Sequence, residues 1–455
     1  MFQAMKSQRC HLVQQVLLIS GMGGSLWAQS LVSPAPPGES VQQGLQIYST
    51  TLGATYMDPI QPVGIKSIQG INSDISVDAS VTLGWSKRTA RSNWSVIYAP
   101  SYAARVHYSD LSTLNQSLVL SGNRRLSTKW ALNFSGSAMV SSFDQSLFSP
   151  TRFGTIPLVP VNFDDLAAAA LSGKLTNDQV ASLLTGAPLV ASPASQLLFG
   201  NRMFSSSLQT GLSYSPSARW SAHVSLGGSR AQTLLTKLRP ETIQPTLTKS
   251  TSTNVGLDAG YSLNPRTQIG ASVNAGRTFS FIQSAYVNSW NLFVGHRIKR
   301  LFFQASGGSG VVTPVGPHIG SKRATYLYSL SSGYRTRSHM LMASYNRSIM
   351  DPYGIPSTFI DRNVSWMWNR PGATWWVQSN FSQDRLISFP FRHVDSWMWG
   401  AGFGRRLTSE LAFTTQYSVG RLGSKSQVYQ GVPFQLSEGG VRAALVWTPQ
   451  IHLLR

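Results

Sequence analysis

The stretch from Asn254 to Gly276, NVGLDAGYSLNPRTQIGASVNAG, contains the feature that most constrains the fold. Apolar residues occupy every second position on both sides of a short break, and small or polar residues fill the positions between them. Alternation with a period of two indicates a β-strand with one apolar face, not a helix. The break, Asn264-Pro265-Arg266, is turn chemistry, because proline presets φ and asparagine tolerates a tight bend. The sequence therefore predicts a β-hairpin here.

Seven more hairpins follow the same plan, with turns at 86–93, 122–129, 215–219, 296–300, 334–339, 369–373 and 404–410. All eight turns contain arginine or lysine, and aromatic residues flank them in the apolar register. These aromatic residues are Trp85, Trp94, Trp130, Tyr214, Trp220, Tyr261, Tyr334, Trp368, Trp375 and Phe403. Amphipathic rings at strand ends are typical of the membrane interface of a β-barrel.

Average composition agrees with a barrel and disfavours a helical membrane protein. The chain has no run of about 18 apolar residues, which a membrane-spanning helix needs. Charged residues make up 12% of the chain and the mean hydropathy is −0.07. Because apolar and polar residues alternate along each strand of a barrel, its apolar face does not raise the mean hydropathy. A large soluble β-protein, such as a propeller or a solenoid, is the alternative, but no fixed-period repeat is visible.

The hairpins are joined by longer connections at 142–202, 231–251, 313–323, 350–360, 383–394 and 422–438. Eight hairpins supply sixteen strands. A strand within Gly44–Met57 and a last strand at Val441–Trp447 raise the predicted number to eighteen, with sixteen as the fallback. The fold class is therefore all-β: a transmembrane, antiparallel, up-and-down β-barrel.

In alternation, turn chemistry and aromatic girdles, residues 44–455 resemble the porin-like barrels of the outer membrane of Gram-negative bacteria, with no subfamily matched. The resemblance implies short periplasmic turns, long extracellular loops and both termini in the periplasm. Such barrels commonly end on an aromatic residue, whereas this chain ends TPQIHLLR. Either Trp447 plays that part, or the last strand continues through Ile451 and Leu453.

Residues 1–28 resemble a secretory signal peptide. Lys6 and Arg9 form its basic region, a short apolar core follows, and cleavage is expected after Ala28. The only cysteine of the chain, Cys10, lies in this segment. Residues 29–43 are rich in proline and serine and are predicted to be a disordered periplasmic lead-in, too short for a plug domain.

The connection 142–202 breaks the alternation and is predicted to be an extracellular loop containing two short helices. It forms either a cap over the rim of the barrel or a constriction folded into the pore. In the second case its acidic residues Asp164, Asp165 and Asp178 would give the constriction a local negative charge.

The predicted inward register contains few charges, and the pore-lining candidates are Asp78, Arg105, His107, His223, Asp258 and Arg442. The histidines are scattered without zinc-site spacing, no GxSxG motif is present, and no enzyme activity or cofactor is predicted. The formal net charge of +21 has several interpretations. Basic turns would contact phospholipid headgroups, and outward arginines such as Arg230, Arg277 and Arg347 would bridge lipopolysaccharide phosphates. The more specific interpretation is that the basic residues give the pore a positive charge.

Three functions remain open at this stage. The first is a channel for passive passage of hydrophilic or anionic solutes, because porins of 16–18 strands enclose water. The second is an export pore for an exopolysaccharide, and the third is a closed structural or adhesion barrel. Expected partners are outer-membrane lipid, lipopolysaccharide, small solutes or polysaccharide, and the barrel-assembly machinery. No nucleic acid is expected, and an oligomer is possible.

Overall fold

The computed structural model describes residues 44–58, 73–109, 112–142, 202–234, 249–280, 284–315, 322–350, 356–370, 372–387, 394–423, 435–449 and 452–454. All regular structure in these ranges is β-strand. No helix there has the length and apolarity needed to cross a membrane. The predicted signal peptide, the lead-in 29–43 and the two loop helices lie outside the described residues, as do Asp164, Asp165 and Asp178.

Nineteen antiparallel strands form one sheet. In chain order they are β1 (Gly44–Met57), β2 (Asp74–Arg88), β3 (Ser92–Arg105), β4 (Thr113–Arg125), β5 (Trp130–Ser142), β6 (Arg202–Tyr214), β7 (Trp220–Leu234), β8 (Ser250–Asn264), β9 (Thr267–Ser280), β10 (Ser284–Ile298), β11 (Leu301–Val315), β12 (Arg323–Arg335), β13 (His339–Met350), β14 (Ser357–Trp368), β15 (Trp375–Ile387), β16 (Val394–Arg406), β17 (Leu411–Gly423), β18 (Gln435–Trp447) and β19 (His452–Leu454).

The sheet closes on itself because β1 pairs with β2 on one side and with β18 on the other. The three residues of β19 pair with the start of β1, beyond the end of β18, so β19 extends the last strand of the barrel. The architecture is thus a closed barrel of eighteen strands, as predicted. The sequence left two interpretations of the chain end open. The structure favours the second, in which pairing with β1 resumes after Trp447.

The eight predicted tight turns are confirmed, and they all lie at one end of the barrel, called here the turn end. In the turn between β8 and β9, the side-chain oxygen of Asn264 accepts a hydrogen bond of 2.8 Å from the backbone N–H of Arg266. This contact shows why asparagine suits the bend. The two-residue turn between β10 and β11 places Lys299 at a φ of 49°, in the left-handed region that such hairpins require.

The polarity of the wall is the inverse of that of a soluble protein. On β2, Ser80 and Thr82 point inward and are buried, whereas Val77 and Trp85 point outward and are exposed. The same alternation continues around the barrel and leaves many large apolar side chains on the outer surface. Since soluble proteins rarely expose a wide apolar surface, the outer face is suited to lipid.

The predicted aromatic girdle is present at the turn end as ring contacts between neighbouring strands. Ring centroids lie 4.4 Å apart for Trp130 and Tyr214, 4.9 Å for Trp220 and Tyr261, and 4.2 Å for Trp368 and Trp375. Contacts at these distances add roughly 0.5–1.5 kcal/mol per pair beyond simple burial. The girdle therefore also stabilises the strand ends that it marks.

The inner wall also contains large apolar side chains, which the sequence-based expectation of small polar residues missed. Phe302 and Trp376 point inward but are almost fully buried. Each ring lies over a glycine of the adjacent strand. A Cβ atom at Gly333 would come within 2.0 Å of Phe302, and one at Gly404 within 2.1 Å of Trp376. Glycine thus lets these rings lie against the wall instead of projecting into the lumen.

Several predicted connections at the other end, called here the loop end, are too long. β15 continues to Ile387 and β14 starts at Ser357, where the sequence reading placed loops. Likewise β11 ends at Val315 and β8 starts at Ser250. The backbone ladder continues here without a clean apolar alternation, because a strand can extend beyond the apolar band of a barrel.

Candidate functional site

The inner wall is the candidate site, and its first charged contact lies where the barrel closes. Arg442 of β18 reaches across β1 to the carboxylate of Asp78 on β2, and both side chains are mostly buried. The arginine Nε–Asp78 Oδ1 distance is 3.3 Å, and a second guanidinium nitrogen donates to Oδ2. A Cβ atom at Gly53 of β1 would lie 3.0 Å from Asp78 Oδ1, so glycine leaves room for the pair. Asp78 and Arg442 are called here the seam pair.

A second charged contact lies at the loop end of β2 and β3. The Asp74 side chain is fully buried and accepts hydrogen bonds from Arg105 Nη1 at 3.3 Å and from the backbone N–H of His107 at 3.0 Å. His107 Nδ1 is 3.5 Å from the same carboxylate. The sequence placed His107 in the inward strand register, which is wrong: β3 ends at Arg105, and His107 lies exposed beyond it.

The far wall, formed by β4 to β8, is joined by amide, hydroxyl and imidazole groups. Asn123 donates to Asn133, Asn133 Nδ2 donates to Ser213 Oγ at 3.0 Å, and Ser213 Oγ lies 3.0 Å from His223 Nδ1. Asp258 is the register partner of His223 on β8. These five residues form the polar ladder, which includes two of the predicted pore-lining residues.

Ser213, His223 and Asp258 are the three residue types of a hydrolytic triad. The geometry of the polar ladder nevertheless supports a structural role. The nucleophile of such a triad must be reachable by the substrate, whereas Ser213 is 0% exposed. His223 is also buried, and its ring fills the space over Gly211, where a Cβ atom would come within 2.3 Å of Cε1. In the described part of the chain, no group of three or more metal-ligating side chains occurs.

Besides Asp74, two more inward carboxylates were missed by the sequence reading. Asp361 of β14 and Asp384 of β15 are register partners on the inner wall, and both are buried. Ser396 Oγ lies 3.5 Å from Asp384 Oδ2. The sequence placed 383–394 in a loop, so the alternation that would have revealed Asp384 was not followed to the end of β15.

Among the residues whose side chains the structure describes, four arginines occupy the inward register at the turn end. They are Arg125 of β4, Arg297 of β10, Arg335 of β12 and Arg406 of β16. Their register partners are the buried residues Ala131, Phe302, Met340 and Ala412. Since paired residues of an antiparallel ladder share a face, these rim arginines belong to the inner face. The sequence reading noticed the basic turns but did not separate inward from outward arginines.

Charge is therefore distributed unevenly along the barrel axis. The inward carboxylates among the described residues are Asp74, Asp78, Asp258, Asp361 and Asp384, and they lie in the middle or at the loop end. The rim arginines lie at the turn end. Of the predicted pore-lining charges, Asp78 and Arg442 are paired with each other, and Arg105 is paired with Asp74, which was not predicted.

The closed barrel, its apolar outer face and its polar inner wall together define a transmembrane-type β-barrel with a porin-like architecture. No protein-family model matches the sequence, and no curated protein matches it either. Among solved structures, similar chains include OccK2 (OpdF) of Pseudomonas aeruginosa, in complex with glucuronate, at 11% identity and a TM-score of 0.44, covering 90% of this chain and 100% of that one.

Two further similar structures are OccAB4 of Acinetobacter baumannii and a BenF-like porin from Pseudomonas fluorescens Pf-5. The first has 11% identity and a TM-score of 0.43, covering 90% of this chain and 99% of its own. The second has 9% identity and a TM-score of 0.43, covering 89% and 99%. Likenesses at this level are too loose to transfer a substrate or a mechanism to this chain.

Proposed function

We propose that this protein is a channel in the outer membrane of a Gram-negative bacterium, through which small hydrophilic solutes pass passively. The observation that carries the proposal is the inverted polarity of a closed eighteen-stranded wall, apolar outside and polar inside. Barrels of 16–18 strands are wide enough to enclose an aqueous channel. Among the predicted pore-lining residues, Arg442 and Asp78 fit this role as wall residues that are fixed to each other.

The same proposal includes a preference for anionic solutes. It rests on the position of the rim arginines, which all lie in the inward register at the turn end of the barrel. Arginine keeps its charge at any physiological pH, and rings of basic side chains favour anions in pores. With short turns on the periplasmic side, the rim arginines would surround the periplasmic mouth.

The test is conductance of the refolded protein in a planar bilayer, with the reversal potential measured under a salt gradient. The variant Arg125→Gln/Arg406→Gln removes two inward charges. The matched control Arg124→Gln/Arg405→Gln removes two neighbouring charges that lie in the outward register of the same strands. We expect the inward variant to lower the anion-to-cation permeability ratio about twofold, since salt screens exposed charges beyond roughly 10 Å. The control should retain the wild-type ratio.

Other outcomes lead to different conclusions. Equal permeability ratios in both variants would remove the rim arginines as the source of selectivity, while leaving the channel in place. Silence from correctly folded protein would favour a closed structural or adhesion barrel. Loss of polymer secretion in a deletion strain, with no change in uptake of small solutes, would favour the exopolysaccharide export pore.

A further inference from the structure

A group of two tyrosines and two arginines lies on the outer face, towards the loop end of β12, β13 and β14. Tyr328 pairs in register with Arg347, and Tyr345 pairs with Arg362, so all four side chains belong to one face. Tyr328 is 36% exposed, which identifies this face as the outer one. We call these four residues the outer cation cluster.

The outer cation cluster is held together by ring contacts. The two tyrosine rings are stacked, with centroids 5.4 Å apart and an interplanar angle of 4°, and their hydroxyl oxygens are 3.2 Å apart. The Arg347 guanidinium carbon is 5.9 Å from the Tyr328 centroid, and that of Arg362 is 5.3 Å from the Tyr345 centroid. Cation–π attraction at these distances holds both guanidinium groups close to the tyrosine rings.

Both arginines use neutral partners for their visible hydrogen bonds. Arg347 donates to Thr325 Oγ1 at 3.1 Å, and Arg362 donates to Gln383 Oε1 at 2.9 Å. Among the described residues, neither forms a salt bridge with a carboxylate. The cluster therefore presents two positive charges that side chains of the described wall leave uncompensated.

A nearby arginine on the same face behaves differently. Arg385 of β15 forms a salt bridge of 2.5 Å with Asp395 of β16, its register partner. Towards the turn end, the outer surface next to the cluster is apolar, with Leu330, Leu341 and Val364 exposed. Two uncompensated cations thus lie at the edge of an apolar surface, where burial without an anion is costly.

We propose that the outer cation cluster binds the phosphate groups of lipid A, the lipid anchor of lipopolysaccharide, in the outer leaflet. This inference rests on the membrane orientation in the proposed function. The planar fork of arginine binds two phosphate oxygens at once, and the tyrosine hydroxyl groups can donate to others. The acyl chains would lie along the apolar residues towards the turn end. Two uncompensated cations select a lipid with two phosphates over a zwitterionic phospholipid.

The test measures binding of bis-phosphorylated lipid A to the full-length, refolded protein in detergent micelles by native mass spectrometry. Dephosphorylated lipid A with the same acyl chains serves as the second probe. The variant Arg347→Gln/Arg362→Gln is compared with Arg385→Gln/Asp395→Asn, which removes charges already paired with each other. We expect the first variant to bind bis-phosphorylated lipid A about tenfold more weakly, because it loses charge-assisted hydrogen bonds. The second should bind like the wild type.

Equal affinity of both variants, or equally tight binding of dephosphorylated lipid A, would overturn the proposal. Heat-modifiable migration in electrophoresis verifies that each variant is folded. The outer cation cluster does not face the lumen, so conductance should be unchanged in the first variant. Failure of lipid A binding in a conducting channel would thus count against this site alone, and failure of conductance would count against the proposed function.

Discussion

The seam and the far wall of the barrel are both joined by inward polar side chains, but they use different chemistry. At the seam, the charged residues Asp78 and Arg442 span three strands and are 364 positions apart in the chain. On the far wall, the hydrogen bond between Ser213 and His223 joins residues ten positions apart. The charged contact occurs where the first and last strands of the barrel must pair.

The difference is explained by what determines strand register in each region. On the far wall, short turns set the register within the hairpins β4–β5 and β6–β7, and the Ser213–His223 contact lies within the second of these hairpins. No turn connects β18 to β1, so register at closure depends on side chains. A slip of one residue would turn Arg442 to the outer, apolar face and leave Asp78 without its partner. The seam pair therefore favours the correct closure over a shifted one.

Breaking the seam pair should have the largest effect. We expect Arg442→Gln to lower the free energy of unfolding by about 2 kcal/mol, because the Asp78 carboxylate loses charge-assisted hydrogen bonds in a partly buried position. A urea titration of folding into lipid vesicles measures it. The control Arg385→Gln breaks an ion pair whose side chains are more exposed, at 47% and 38%, and should change little. Zero coupling in a double-mutant cycle with Asp78→Asn would show that the seam pair does not join these strands.

Crowding the polar ladder should have a smaller effect. A methyl group at Gly211 would collide with the His223 ring, so Gly211→Ala should lower the free energy of unfolding by about 1.5 kcal/mol. The matched control is Gly307→Ala, since nothing lies within 4 Å of a Cβ atom there. Equal urea midpoints for the two variants would contradict the close packing of the imidazole over Gly211.

Removing one hydroxyl from the polar ladder should have the smallest effect of the three. Ser213→Ala deletes the group between Asn133 and His223, and we expect a loss of about 1 kcal/mol, the usual net contribution of an intramolecular hydrogen bond. The same urea titration applies. A loss as large as that of Arg442→Gln would mean that the far wall matters as much for closure as the seam, which would remove the contrast between them.

Much of the architecture could be predicted from sequence because alternation is a local property. The hairpin at Asn264, the first strand at Gly44–Met57 and the aromatic pair Trp368–Trp375 all follow from nearest-neighbour patterns. Prediction failed where the pattern weakens. Asp384 was assigned to a loop, and His107 was assigned to a strand, because no apolar alternation marks the loop end of these strands.

The sequence by itself determined the strand number, the turn end and the face on which residues of the clearly alternating segments lie, because the two-residue period of a strand is set by its own backbone. Only the tertiary structure decided which inward charges meet. Arg442 and Asp78 were both recognisable as inward residues, but their pairing depends on closure of the barrel between distant parts of the chain. The stacking of Arg347 and Arg362 on Tyr328 and Tyr345 likewise depends on register between strands, which alternation within one strand does not specify.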